Sequence, residues 1–237
     1  MIREKDVYMS RLPIYLDNPA WYALTGPHAA LALGVGGARC YPPDVSPFAA
    51  TASNTEGAFA DLARLIEPGR TIVIAAGCPE QTDIWQLVRR FSVVQMVCER
   101  HATATVDQEP AIIPLTGADV PAMLRLTELT RPGPFLPRTI ELGTYVSIQQ
   151  DARIAAMAGV RFHLPGCREI SAVCTHPSFR RRGYGKRLVR VLVDEFQSAD
   201  EVPFLHVMSE NSDAIALYES LGFVRRAELS LFVLERR

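Results

Sequence analysis

The sequence has no CxxC pair: its five cysteines, Cys40, Cys78, Cys98, Cys167 and Cys174, are odd in number and scattered. That argues against a disulfide framework and a structural zinc site, and predicts a reduced, cytoplasmic protein without a metal. A long apolar run is also missing. The longest uncharged stretch, Asn18 to Ala38, is broken by Asn18, Pro19, Pro27, His28 and four glycines. A membrane span needs about twenty mostly apolar residues, so none is expected. No apolar segment of signal-peptide type follows the opening Met1-Ile2-Arg3-Glu4-Lys5-Asp6. Nor is there an excess of either charge. The 25 Lys and Arg against 26 Asp and Glu leave a net charge of -1, which gives no global electrostatic case for a nucleic-acid or membrane partner.

What is present is the composition of a folded globular chain. Of 237 residues, 48% are apolar and 22% charged, which excludes a largely disordered polymer. That length predicts one to two domains. In the first hundred residues, Asp17-Asn18-Pro19 starts a helix in the usual cap-then-proline order. Short strands broken by glycines are expected over Leu31–Tyr41, and an amphipathic helix over Asn54–Glu67. Strands follow at Thr71–Ala75 and Phe91–Val97. The polar stretch Thr105 to Pro110 reads as a linker and divides the chain into 1–108 and 109–237. Beyond it, a strand at Ile112–Leu115 precedes a helix capped by Asp119. Three prolines and a glycine interrupt Arg131–Pro137, so that segment is a loop. A strand pair, a third strand over Glu169–Thr175, a helix from Gly183, a strand over Phe204–Met208, a helix over Asn211–Leu221 and a last strand complete the chain. The expected class is α/β, a mixed sheet flanked by helices.

One stretch carries chemistry. From Glu169 through Cys174 and His176 to Arg180, Gly183, Gly185 and Lys186, a strand runs into a basic glycine loop that opens directly into a helix. The first amides of a helix have no internal partners and lie at the positive end of its dipole. With Arg180, Arg181, Arg182 and Lys186 around them, they make a seat for a phosphate or pyrophosphate. The loop is not a P-loop: Arg180 stands five before Gly185 where a glycine is needed, and Lys186 is followed by Arg187. A dinucleotide GxGxxG fails too, both here and at Gly34-Val35-Gly36-Gly37. What remains is Arg180-x-x-Gly183-x-Gly185.

That pattern, joined to Asn211-x-x-Ala214-x-x-x-Tyr218-x-x-x-Gly222-Phe223, resembles the GCN5-related N-acetyltransferase superfamily, nearest its FR47-like branch. The resemblance covers roughly residues 112–237. It implies the acyl-CoA N-acyltransferase fold, with residues 1–108 as an accessory lobe, read as a degenerate copy of the same half. It also implies acetyl transfer from acetyl-CoA to a primary amine by direct attack in a ternary complex. The pantetheine arm would lie along Val173, Cys174 and Thr175. The pyrophosphate would lie on Arg180 to Lys186, including Tyr184. Asn211 and Ala214 would face the cofactor, and the Tyr218 hydroxyl would protonate the departing thiolate. Glu169 matches the general-base glutamate of the histone-acetylating branch, with His176 as rival. Pro134 and Phe135 mark the acceptor site, and the acceptor is a small-molecule or protein amine. The superfamily often forms homodimers. Two alternatives stand beside this reading: a non-catalytic acyl-CoA sensor, or transfer of a longer acyl chain.

Overall fold

The computed structural model describes residues 14–75, 77, 83–98 and 110–237. Cys78 and residues 105–109 of the expected linker lie outside them. An antiparallel three-stranded sheet, β1 (Leu33–Val35), β2 (Ala38–Cys40) and β3 (Ala49–Thr51), carries α1 (Pro19–Leu24) and α2 (Glu56–Leu65). The glycines at 36 and 37 make the β1–β2 turn, with Gly36 at φ 47, so the upstream glycine run is a hairpin.

The larger sheet has eight strands in the order β4-β11-β5-β10-β9-β8-β7-β6. They are β4 (Thr71–Ile74), β5 (Trp85–Val97), β6 (Ile112–Pro114), β7 (Tyr145–Gln150), β8 (Arg153–Leu164), β9 (Cys167–Thr175), β10 (Val202–Met208) and β11 (Val224–Arg236). Every neighbouring pair is antiparallel except β9 and β10. The sheet crosses the expected division at 108/109: β5, from the first part of the chain, sits between β10 and β11. β5 starts at Trp85, earlier than Phe91, because β11 pairs with it from Trp85–Arg236 to Val97–Val224. Long-range pairing thus supplies the order that the mixed run Gln86 to Arg90 does not announce.

Helix α4 (Tyr184–Ser198) buries Leu188, Val189, Leu192, Val193 and Phe196 against one face of the sheet, beside α5 (Ser212–Glu219). Helix α3 (Val120–Thr130) packs Met123 and Leu126 against Tyr145, Met157, Ala172 and Cys174. Asp119 is the N-cap residue of α3, but its side chain does not bond to the start of that helix. Its Oδ2 accepts from the amide and hydroxyl of Thr116 at 2.8 and 3.0 Å, closing a capping box on the preceding 3-10 turn. Among the described residues no helix is long and apolar enough to cross a membrane.

Gly159 pairs with Tyr145 on β7 and with Ser171 on β9. The Tyr145 ring lies over it, and the hydroxyl donates to Val160 O at 3.0 Å. A Cβ on Gly159 would overlap ring atoms of Tyr145. Gly159→Ala is therefore expected to cost about 1–3 kcal/mol by overpacking, read as a lower urea midpoint. An unchanged midpoint would show that the ring moves aside freely.

Candidate active site

Strands β9 and β10 pair at three positions only, Cys167–Val202, Arg168–Pro203 and Glu169–Phe204. Beyond them β9 runs on to Thr175 and β10 to Met208, and the two border a cavity of about 610 Å³. Two register shifts sit at this fork. On β9, Ala172 and Val173 together oppose Ala158, and Ala172 takes φ 52. On β8, Arg161 and Phe162 oppose Glu169. Bulges re-aim side chains and interrupt ladders. Here one turns backbone of β9 out of register, and the other brings Arg161 to the cavity wall.

The apex of the fork is charged and buried. Glu169 is fully buried; its Oε2 accepts from Arg161 Nε at 2.8 Å, and its Oε1 accepts from Arg161 Nη2 and from His206 Nδ1, the latter at 2.6 Å. Gln95 Nε2 donates to Leu16 O at 2.8 Å and lies 3.0 Å from His206 Nε2, which leaves that nitrogen as an acceptor. Arg226 Nη1 donates to Gln95 Oε1 at 2.8 Å and its Nη2 to Asp17 at 2.6 Å. Burial pushes the Glu169 carboxyl up, but Arg161 and His206 pull it down to about 2. Glu169 does not line the cavity and both of its oxygens are engaged, so it does not stand as the open base expected of it. Arg161 and His206 do line the cavity, and Glu169 positions them. His176 is not free either: its Nδ1 accepts from Ser178 N at 3.2 Å and caps a 3-10 turn.

The basic loop folds as its glycines require. Arg180 is extended, Arg181 takes φ 61, and Gly183, at φ 75, is the N-cap of α4 with no side chain bonded to the helix start. The first amides of a fifteen-residue helix are thereby left open. Arg180, Arg181, Arg182 and Lys186 are exposed around them, and Arg182 lies over the Phe179 ring at 5.2 Å. Tyr184 points inward to the core, so only its backbone borders the loop. A Cβ on Gly185 would lie 3.8 Å from Val173 Cγ1 and Thr175 Oγ1, so helix and strand end meet at van der Waals distance.

Val173, Cys174, Thr175 and Arg180 all line the cavity, as do Asn211, Ala214 and Tyr218 from one face of α5 and its cap. Asn211 Oδ1 accepts from Ala214 N at 3.1 Å, which caps α5 and leaves the Asn211 amide NH₂ for a ligand. Burial pushes the Tyr218 phenol up to about 12 and the Cys174 thiol up to about 11. Tyr218 therefore keeps its proton at neutral pH, and Cys174 is no thiolate nucleophile. Arg131 closes α3 in the left-handed region at φ 49 and leads Pro132, Gly133 and Pro134 along the cavity. Phe135 turns away and packs edge-on against Tyr145, with centroids 5.6 Å apart; of the expected acceptor pair only Pro134 faces the cavity. Phe48, Val73, Arg89, Phe91, Val93 and Leu231 also line the cavity. No motif marked these residues. Their signal, a β-branched and aromatic strand at Phe91–Val97, gives a strand but not its neighbour.

Comparison with known proteins finds relatives among acetyltransferases. The family described as FR47-like protein matches residues 145–233. A [ribosomal protein bS18]-alanine N-acetyltransferase of Salmonella typhimurium is 32% identical over 115 residues, which is 46% of this chain and 77% of the relative. A solved GNAT-family structure from Novosphingobium aromaticivorans is 35% identical with TM-score 0.86, covering 94% of this chain and 98% of that one. A GCN5-related N-acetyltransferase from Kribbella flavida, at 15% identity and TM-score 0.59, covers 92% of this chain and 93% of its own, and shares the fold.

Nothing lies within 4 Å of a Cβ built on Gly183, and its left-handed backbone suits Asp better than most residues. Gly183→Asp should therefore fold and set a carboxylate against the open helix start. Calorimetric titration with acetyl-CoA should show affinity lower by roughly tenfold or more. Unchanged affinity would remove the loop as the phosphate seat.

Proposed function

The chain belongs to the GCN5-related N-acetyltransferase family and is an acyl-CoA-dependent N-acyltransferase, and on that premise we propose that it moves the acetyl group of acetyl-CoA to a primary amine held in the cavity. The observation that carries this reading is the fork of β9 and β10, with an open helix start beside it and a protonated tyrosine on its wall. Acetyl-CoA supplies the thioester whose carbonyl carbon the amine attacks. The residues present suit such a donor. The unpaired edge of β9 from Ile170 to Thr175 offers alternating N–H and C=O groups to the amides of a pantetheine arm. The start of α4, with Arg180 to Lys186, offers amides and cations to a pyrophosphate.

In this reading the bulged backbone at Ala172–Val173 lies beside the reacting carbonyl, where an N–H favours charge building on its oxygen. The amine nitrogen forms a bond to the carbonyl carbon and the carbon–sulfur bond breaks. Tyr218 gives its hydroxyl proton to the sulfur, and the proton released by the amine restores the phenol through solvent. Since Glu169 is engaged on both oxygens, the amine enters as its free base. An α-amino group is more acidic than a lysine ammonium, so it reaches its free base at lower pH.

Tyr218→Phe removes one oxygen and leaves the edge-on packing against Phe223. Its turnover should fall by about 10²-fold or more while acetyl-CoA affinity is kept. Release of CoA thiol, measured over a panel of amines, reads the rate. A Phe variant as fast as the parent would make Tyr218 a packing residue.

A further inference from the structure

The cavity is lopsided in charge. Arg89, Arg131, Arg161 and Arg180 line it together with His206, and no Asp or Glu does so among the described residues. Two of these cations are already committed. Arg161 is matched by Glu169, and Arg180 belongs to the phosphate loop. Arg89 and Arg131 are exposed and form no ion pair among the described residues. Arg89 comes from β5, on the far side of β10 from the β9 edge, and its guanidinium lies over Phe91 at 5.3 Å. Arg131 is fixed by its left-handed backbone, whose N–H donates to Thr127 O at 2.7 Å. A non-glycine residue in that region is uncommon and is retained where the surroundings hold it. The same cavity is lined by the apolar side chains of Phe48, Val73, Phe91, Val93 and Leu231.

We propose that the acceptor is a small primary amine bearing a carboxylate on an apolar body, in the manner of an apolar amino acid, with Arg89 and Arg131 binding the carboxylate. The inference rests on the acyltransferase reading and names its substrate class. A polycationic amine would set its spare ammonium groups against unpaired guanidinium groups with no carboxylate to receive them, whereas a carboxylate gains charge-assisted hydrogen bonds from both. The apolar wall then takes the side chain by burying it.

The test compares acceptors that differ only in the carboxylate: leucine against leucinamide and phenylalanine against phenylalaninamide, with spermidine and an acidic-ended peptide as further arms. The acid of each pair should show kcat/KM roughly tenfold or more above its amide, despite the lower amine pKa that favours the amide. Arg89→Ala and Arg131→Ala should each narrow that ratio, mostly through KM, and Arg89→Lys should restore part of it. Equal use of acid and amide, a preference for spermidine, or ratios untouched by both arginine variants would overturn the assignment. Preference for the peptide over every free amino acid would overturn its small-molecule part. Calorimetric titration of each acid and amide onto the CoA-bound protein gives a readout independent of turnover. A protein that binds acetyl-CoA but discriminates no carboxylate overturns the acceptor class alone; one that binds neither overturns the acyltransferase reading as well.

Discussion

Two parallel strands that hold together for three residue pairs and then part are the constraint on which the rest depends. A sheet of eight strands normally closes every ladder, because unpaired buried N–H and C=O groups are costly. Here β10 turns to β5 for its other partner from Phe204 to Met208, and β9 leans on β8 through a bulge. Each strand is supported from outside, so the inner edges can stay apart. The opening is a product of pairing on either flank and needs no dedicated loop to prop it.

The apex is held by charge. Arg161, Glu169 and His206 are joined at the last paired rung, and Gln95 and Arg226 extend the chain of hydrogen bonds across β10 to β11. Removing one partner of a buried ion pair leaves an uncompensated charge and typically costs about 3–5 kcal/mol. Such a cluster therefore resists both closing the fork and sliding its register. It also engages both oxygens of the Glu169 carboxylate. A carboxyl held near 2 is far too acidic to accept a proton from an ammonium. Its oxygens instead orient the guanidinium of Arg161 and the imidazole of His206.

The parts of this site that were legible in the sequence are local. Gly183 announces a glycine loop opening into a helix, the arginines before it a basic rim, and Asn211 and Tyr218 a shared helix face, because each follows from a few adjacent residues. The parts that were not legible depend on strands distant in sequence. Nothing near Arg89, Phe91 or Leu231 says that β5 enters between β10 and β11, and the mixed run before Phe91 hides half of that strand. Arg161 escaped for a related reason, since its direction is set by a bulge that only the opposing register reveals. Phe135 fell the other way: its loop is at the cavity, but an aromatic ring next to Tyr145 is more stable buried. For Glu169, position on the strand was readable, whereas its engagement by Arg161 and His206 was not.

The central claim is that the fork between β9 and β10 is where the acyl donor lies. A crystal structure of the protein with CoA tests it most directly. The account predicts a pantetheine arm hydrogen-bonded along Ile170 to Thr175, a pyrophosphate on the amides at the start of α4, and the thiol sulfur within hydrogen-bonding reach of the Tyr218 hydroxyl. CoA bound elsewhere, or a fork that closes to a continuous ladder between the two strands, would contradict it.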